Sequence, residues 1–265
     1  MIPIGDSVRS RTRPYVNVAI IGANALVFLY QLTLDTAPAA VIQGLGAPLL
    51  ISELDEFFFD WGAIPACLGD ATGFDPNTPP GAIGVFCDSA VLVTPLTAMF
   101  IHGGWIHLIG NMIFLWVFGD NVEDAMGHVR YAFFYVIVGL AATAAHVAVN
   151  QDDLLPAIGA SGAIAGVLGA YLVLYPRASV SAILPIFILL WVPFQVPAVL
   201  LIGLWFVMQL FNGVAALTAT DVVGAGGGVA WFAHIGGFVA GLVLVKLFAL
   251  GRRPPPQVLR PGRPW

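Results

Sequence analysis

From Ala178 to Thr220 the chain runs for 43 residues without one charged side chain, a stretch that a water-soluble domain cannot accommodate. Further apolar runs lie near Val16 to Leu32, Gly103 to Phe118, Tyr131 to Val149, Ile158 to Tyr175 and Val229 to Leu250. Each approaches the roughly 20 residues needed to cross about 30 Å of hydrocarbon. Pro185, Pro193 and Pro197 interrupt the first half of the uncharged stretch, which predicts a bent or interfacial lead-in and a single crossing within Pro185 to Phe211. The expected fold is therefore an all-α membrane protein, a bundle of six transmembrane helices occupying residues 16–250.

Charge sets the expected direction of these spans. Basic residues collect on the cytoplasmic side, because short Lys/Arg-rich loops are not readily translocated. With six spans and the N-terminus inside, all ten basic residues, from Arg9 to Arg263, fall inside, together with only Asp6, Asp120, Glu123 and Asp124 of the 15 acids. A seventh span would carry the four C-terminal arginines outside. Residues 1–15 then form a cytoplasmic segment leading into a retained signal anchor, since the apolar run lacks a small-residue cleavage site. Residues 251–265 form a cytoplasmic Pro/Arg-rich tail. The expected location is a bacterial inner (plasma) membrane.

Residues 33–94 form a large external loop, acidic and rich in Gly and Pro, with Phe57, Phe58, Phe59 and Trp61 suited to the bilayer interface. Cys67 and Cys87 both lie in it. Outside the cytosol a disulfide between them can persist, unpaired thiols being the alternative. They have neither a CxxC spacing nor nearby histidines, which speaks against zinc. The net charge of −5, with its few basic residues at the two ends, offers no field for nucleic acid.

Polar residues inside the spans are expensive and so mark function. His107 and Asn111 stand at i and i+4 on one face of the second span. Ser161 lies in Gly159-Ala160-Ser161-Gly162 at the head of the fourth, and His234 in Ala233-His234-Ile235-Gly236-Gly237 at the head of the sixth. These three spans run in the same direction, so the four side chains share a depth zone facing the outside. Taken alone, a membrane serine commonly bonds its own backbone and a membrane asparagine is commonly interhelical glue. Their coincidence at one depth is what points to chemistry. Gly162 and Gly166, extended by Ala170, and Gly237 and Gly241 form ridges along which the fourth and sixth helices can pack. That packing would bring an imidazole to a weak hydroxyl nucleophile. Asn111, His107 and the Ser161 N–H would supply donors to an oxyanion. No Asp or Glu lies at this depth to complete a triad. His102, His128 and His146 fall at span ends, where an interfacial role is the ordinary reading. A transporter would be expected to bury Asp, Glu or Lys near the midplane and to show internal repeats, neither of which is evident. A non-proteolytic scaffold for transmembrane helices is the other competing reading.

These residues resemble the rhomboid intramembrane serine proteases. The matching stretches are Phe100-Ile101-His102-Gly103-Gly104-Trp105-Ile106-His107 running to Asn111, then Phe118-Gly119-Asp120-Asn121-Val122-Glu123-Asp124 with Gly127, Gly159-Ala160-Ser161-Gly162, and Ala233-His234-Ile235-Gly236-Gly237. The resemblance implies a six-helix bundle around a water-filled cavity. It implies Ser161 as nucleophile, His234 as general base, and His107, Asn111 and the Ser161 N–H as oxyanion hole, supported by His102, Gly159, Gly162 and Gly237. It further implies transmembrane proteins as substrates within the lipid bilayer, with no metal and no cofactor. Two departures stand out. Ala165 occupies the position, four residues after the serine, where many members place a Tyr against the catalytic histidine. The first loop lacks their Trp-Arg pair, since no Lys or Arg occurs between Arg13 and Arg130.

Overall fold

The apolar runs fold into helices, and the polar residues between them decide how those helices are held. The structure, a computed structural model, describes residues 1–38, 40–44, 47–70, 87, 91–187, 190–218 and 229–252. In chain order the elements are β1 (Ile2–Asp6), α1 (Tyr15–Gln31), β2 (Ala40–Gly44), β3 (Ala47–Ile51), α2 (Glu53–Trp61), α3 (Pro65–Asp70), α4 (Thr94–Thr97), a 3₁₀ turn (Ala98–Phe100), α5 (Trp105–Met126), α6 (His128–Val149), α7 (Ser161–Leu174), β4 (Ser179–Phe187), β5 (Leu190–Pro197), α8 (Ala198–Thr218) and α9 (Trp231–Phe248). The Pro/Arg-rich tail beyond Arg252 lies outside the described residues.

Among the described residues three helices, α6, α8 and α9, are long and apolar enough to cross a membrane. A fourth is the pair Thr94–Phe100 and Trp105–Met126 if its 93° bend belongs to one span. α1 and α7 are apolar but shorter, with 17 and 14 residues. Leu26, Phe133, Phe211 and Val243 project outward and are largely exposed, an arrangement that lipid tolerates and water does not. The molecule is a mostly helical membrane protein.

α7 is the central helix. Every residue from Gly162 to Tyr171 is buried, against α9, α6 and α5. At 1.5 Å per residue its 14 residues span only about 21 Å, so its first residue sits well inside the bundle. The expected contact between the small-residue ridges is present. A Cβ on Gly237 would collide with the Gly162 carbonyl oxygen, and one on Gly241 with that of Gly166. The two backbones thus touch at two levels one turn apart.

α1 begins after Pro14 with no side-chain cap of its own. The fully buried carboxylate of Glu123 on α5 supplies the missing acceptors, taking the N–H of Val16 at 3.0 Å and of Asn17 at 2.7 Å. Asn17 in turn donates to the Leu115 carbonyl and accepts from the Tyr131 hydroxyl. Asp124 accepts from Thr12 through both its N–H and its hydroxyl, and Arg11 pairs with the same carboxylate. The acidic motif at the end of α5 is therefore a dock for the segment before α1.

Two small antiparallel sheets depart from the all-α expectation. β2 pairs with β3, and β1, β4 and β5 form a three-stranded sheet in that order. The segment from Ala178 to Ala182 buries Ala178, Val180 and Ala182 and leaves Ser179 and Ser181 half-buried, a period of two that specifies a strand. Pro193 lies on the edge strand, where a missing N–H is tolerated. The lead-in expected within Pro185 to Phe211 is thus a hairpin, and its helix starts later, at Ala198, and runs to Thr218. Cys67 and Cys87 are disulfide-bonded, with Cα atoms 5.3 Å apart.

Candidate active site

Ser161 is the first residue of α7, where the N–H groups have no intrahelical acceptors. The irregular segment before it descends from Asn150 and ends at Gly159, whose φ of +124° favours glycine. Space enforces the same choice, because a Cβ there would approach His107 Nε2 to 2.7 Å. Gly159 therefore lets the segment before the serine lie against the imidazole of His107.

His234, in the first turn of α9, is buried and places Nε2 2.7 Å from the Ser161 hydroxyl oxygen. The backbone contact between Gly237 and Gly162 sets this distance, since it fixes α9 against α7 within a turn of both side chains. Both residues line a cavity of about 810 Å³, together with His107, Asn111 and Trp205.

Asn111 donates its amide to His102 Nε2 at 2.9 Å, which leaves its second amide hydrogen for the cavity. His102 is fully buried, not interfacial. Gln31 of α1 holds it from behind, donating to the His102 carbonyl at 2.8 Å and accepting from the His102 N–H at 3.1 Å. That paired amide contact fixes the turn that leads into α5. The Gly103 N–H faces His107 Nδ1 at 3.4 Å, which puts the His107 proton on Nε2, toward Gly159. His102 and His107 meet edge to face at 5.0 Å. His146 is buried on α6, bonded to Asn150, and lines a second, small cavity with Gly159, Ser161 and Gly162. His128 pairs with Glu123 at the opposite end of α5.

The structure brings together Ser161, His234, His107, Asn111, Gly159, Gly162 and Gly237, with His102 directly behind Asn111. Three participants were not anticipated from the sequence. Gln209 of α8 is buried and presents its side-chain oxygen to His234 Nδ1 at 2.8 Å. Trp205, one turn earlier, lies with its ring 5.8 Å from the imidazole at 40°, and Trp231 approaches edge-on at 6.2 Å. Ala165 is fully buried and offers no ring. The available signal was Gln209 itself, one of the few amides within a long uncharged stretch.

The arrangement holds a hydroxyl against an imidazole beside a cavity, with neutral donors opposite. The family model for the Rhomboid domain matches residues 90–250. RHOMBOID-like protein 5 of Arabidopsis thaliana is 30% identical over 172 residues, 63% of this chain and 48% of that protein. Rhomboid-like protein 11, chloroplastic, of the same plant is 28% identical over 158 residues, 58% of this chain and 51% of that protein. Rhomboid protease GluP of Bacillus subtilis (strain 168) is 38% identical over 77 residues, 29% of this chain and 15% of that protein. The chain thus spans about half the length, or less, of these relatives. A match across more than half of the chain, over the residues that carry the serine, the histidine and both oxyanion candidates, shows that this protein belongs to the rhomboid family.

Proposed function

We propose that the chain is an intramembrane serine endopeptidase that cuts transmembrane helices of other membrane proteins with a Ser161–His234 dyad. The observation that carries this reading is the 2.7 Å contact between Ser161 Oγ and His234 Nε2 beside the cavity. The hydroxyl attacks the scissile carbonyl while His234 takes its proton. The negative oxygen is met by the Ser161 N–H, the Asn111 amide and His107. His234 then returns the proton to the leaving nitrogen, and a water deprotonated by the same imidazole releases the acyl group. Each oxyanion donor is worth about 10²–10³ in rate. A formed helix hides its carbonyls in hydrogen bonds, so the substrate has to unwind before reaching Ser161. Neither metal nor cofactor is called for by this chemistry.

In the same proposal α1, α5, α6, α7, α8 and α9 are six spans, with both termini cytoplasmic and the cavity facing outside. Six spans with the N-terminus inside would put all ten basic residues on the cytoplasmic side, the side basic residues favour, which supports this orientation. The short α7 fits it too, because irregular backbone at membrane depth is tolerated where it is buried in protein or lines a wet cavity. Residues 33–94, with the Cys67–Cys87 bond, then lie outside. In proteoliposomes, Ser161→Ala is expected to abolish cleavage of a model transmembrane substrate, by at least about 10³-fold, with its melting temperature unchanged. Cleavage at the wild-type rate would overturn the assignment.

A further inference from the structure

A serine–histidine pair works only if the imidazole turns a lone pair toward the hydroxyl. The proton must therefore sit on Nδ1, and something must hold it there. Carboxylates do this in triads, but none of the described residues places one against His234 Nδ1. The atom at that position is the Gln209 side-chain oxygen, 2.8 Å away.

An amide is ambiguous in this role, since its nitrogen would select the opposite tautomer and disable the base. Here the ambiguity is removed by the helix that carries it. Gln209 Nε2 donates to the carbonyl of Trp205, one turn back on α8, at 3.1 Å. A backbone carbonyl can only accept, so the amide nitrogen is committed to it and the oxygen is left for the imidazole. The oxygen accepts from Nδ1–H, Nε2 is left as a lone pair, and the Ser161 hydroxyl donates to it at 2.7 Å. The Trp205 ring covers one side of the imidazole and Trp231 meets it edge-on, restricting rotation.

Resting on the protease reading above, we propose that Gln209 is the positioning residue that fixes the tautomer and orientation of His234, the task left open by Ala165. Because Gln209 and its orienting carbonyl both belong to α8, the competence of the dyad depends on α8 being seated against α9.

The test compares Gln209→Leu, which removes the acceptor and keeps similar bulk, with Gln209→Glu, which keeps an oxygen toward Nδ1 in either protonation state. The Trp205 carbonyl retains its ordinary helical N–H donor in both. Three readouts are taken on the full-length protein: cleavage kinetics, the rate at which a fluorophosphonate labels Ser161, and the ¹⁵N imidazole signals of His234. In Gln209→Leu, turnover and labelling are expected to fall about 10- to 100-fold with KM nearly unchanged. The ¹⁵N signals are expected to change from a single Nδ1–H form to a mixture of tautomers. Gln209→Glu is expected to recover most of the rate and the single Nδ1–H form. A Gln209→Leu protein that labels and cleaves within about two-fold of wild type overturns the proposal. So does one that loses rate while His234 keeps a single Nδ1–H signature, or a Gln209→Glu protein as impaired as the Leu variant. Wild-type protein that is not labelled at Ser161 would refute the protease reading instead, so the two failures are separable.

Discussion

Adding one methyl group at Gly237 tests whether backbone contact between α7 and α9 sets the reactive distance. The new Cβ would fall well inside the contact radius of the Gly162 carbonyl oxygen, with the Ala142 side chain 3.2 Å away on another side. No flexible side chain is there to yield to that oxygen, so the helix axes have to part by about 1 Å to restore ordinary separation. Overpacking of this kind costs about 1–3 kcal/mol. His234 is three residues away on the same helix, so an opening of that size stretches the 2.7 Å contact with Ser161 beyond hydrogen-bonding range. A misplacement of about 1 Å costs roughly 10² in rate. Gly203 of α8 is the control, because nothing lies within 4 Å of a Cβ there. Gly203→Ala is expected to leave turnover unchanged and to gain up to about 1 kcal/mol from helix propensity. Thermal unfolding in detergent and turnover in proteoliposomes read the two effects. A Gly237→Ala protein with wild-type stability and turnover would refute the reasoning.

Two further perturbations address parts distant from the dyad. Burial raises the Asp6 carboxyl to about 7, against the opposing hydrogen bond from Tyr171 and with the Asp120 charge adding to the rise. The native state therefore holds a proton that the unfolded chain has lost, so the contribution of Asp6 to stability is full below about pH 4 and is lost as pH rises through about 7. The slope is at most about 1.4 kcal/mol per pH unit, and Asp6→Asn is expected to flatten it in unfolding measured from pH 4.5 to 8; equal slopes in variant and wild type would contradict this. The Cys67–Cys87 bond closes a 20-residue separation, and Cys67→Ala with Cys87→Ala is expected to cost about 3 kcal/mol and to abolish the effect of reductant on stability. Two free thiols in denatured, unreduced wild-type protein would count against it.

What could be read from the sequence depended on whether the physics was local. The intramembrane cost of Ser161, His234, His107 and Asn111 is a property of each residue, so they stood out before any contact was known. The glycine ridges carried their partner surface in their own spacing. The β4–β5 hairpin was hidden because a 20-residue window averages the alternation at Ser179 and Ser181 into one apolar block. β1 was invisible because five residues acquire strand character only through pairing with β4. His102 looked interfacial by position, and its burial follows from the Gln31 clamp contributed by another helix. Gln209 shares its uncharged stretch with the amides Gln195 and Asn212, and its role depends on where α8 lies against α9 and on the Trp205 carbonyl.

The pairing of Ile2 with Ile183 also has a consequence for biosynthesis. At roughly 5–20 residues per second, the partner of the first strand emerges about 10–40 s after the strand itself. Glu123 emerges earlier and can already hold the start of α1, so the membrane helices can dock while β1 is still unpaired. Closure of the three-stranded sheet therefore comes late in assembly. Damage to β1 should lower the yield of finished protein more than the turnover of the molecules that complete it.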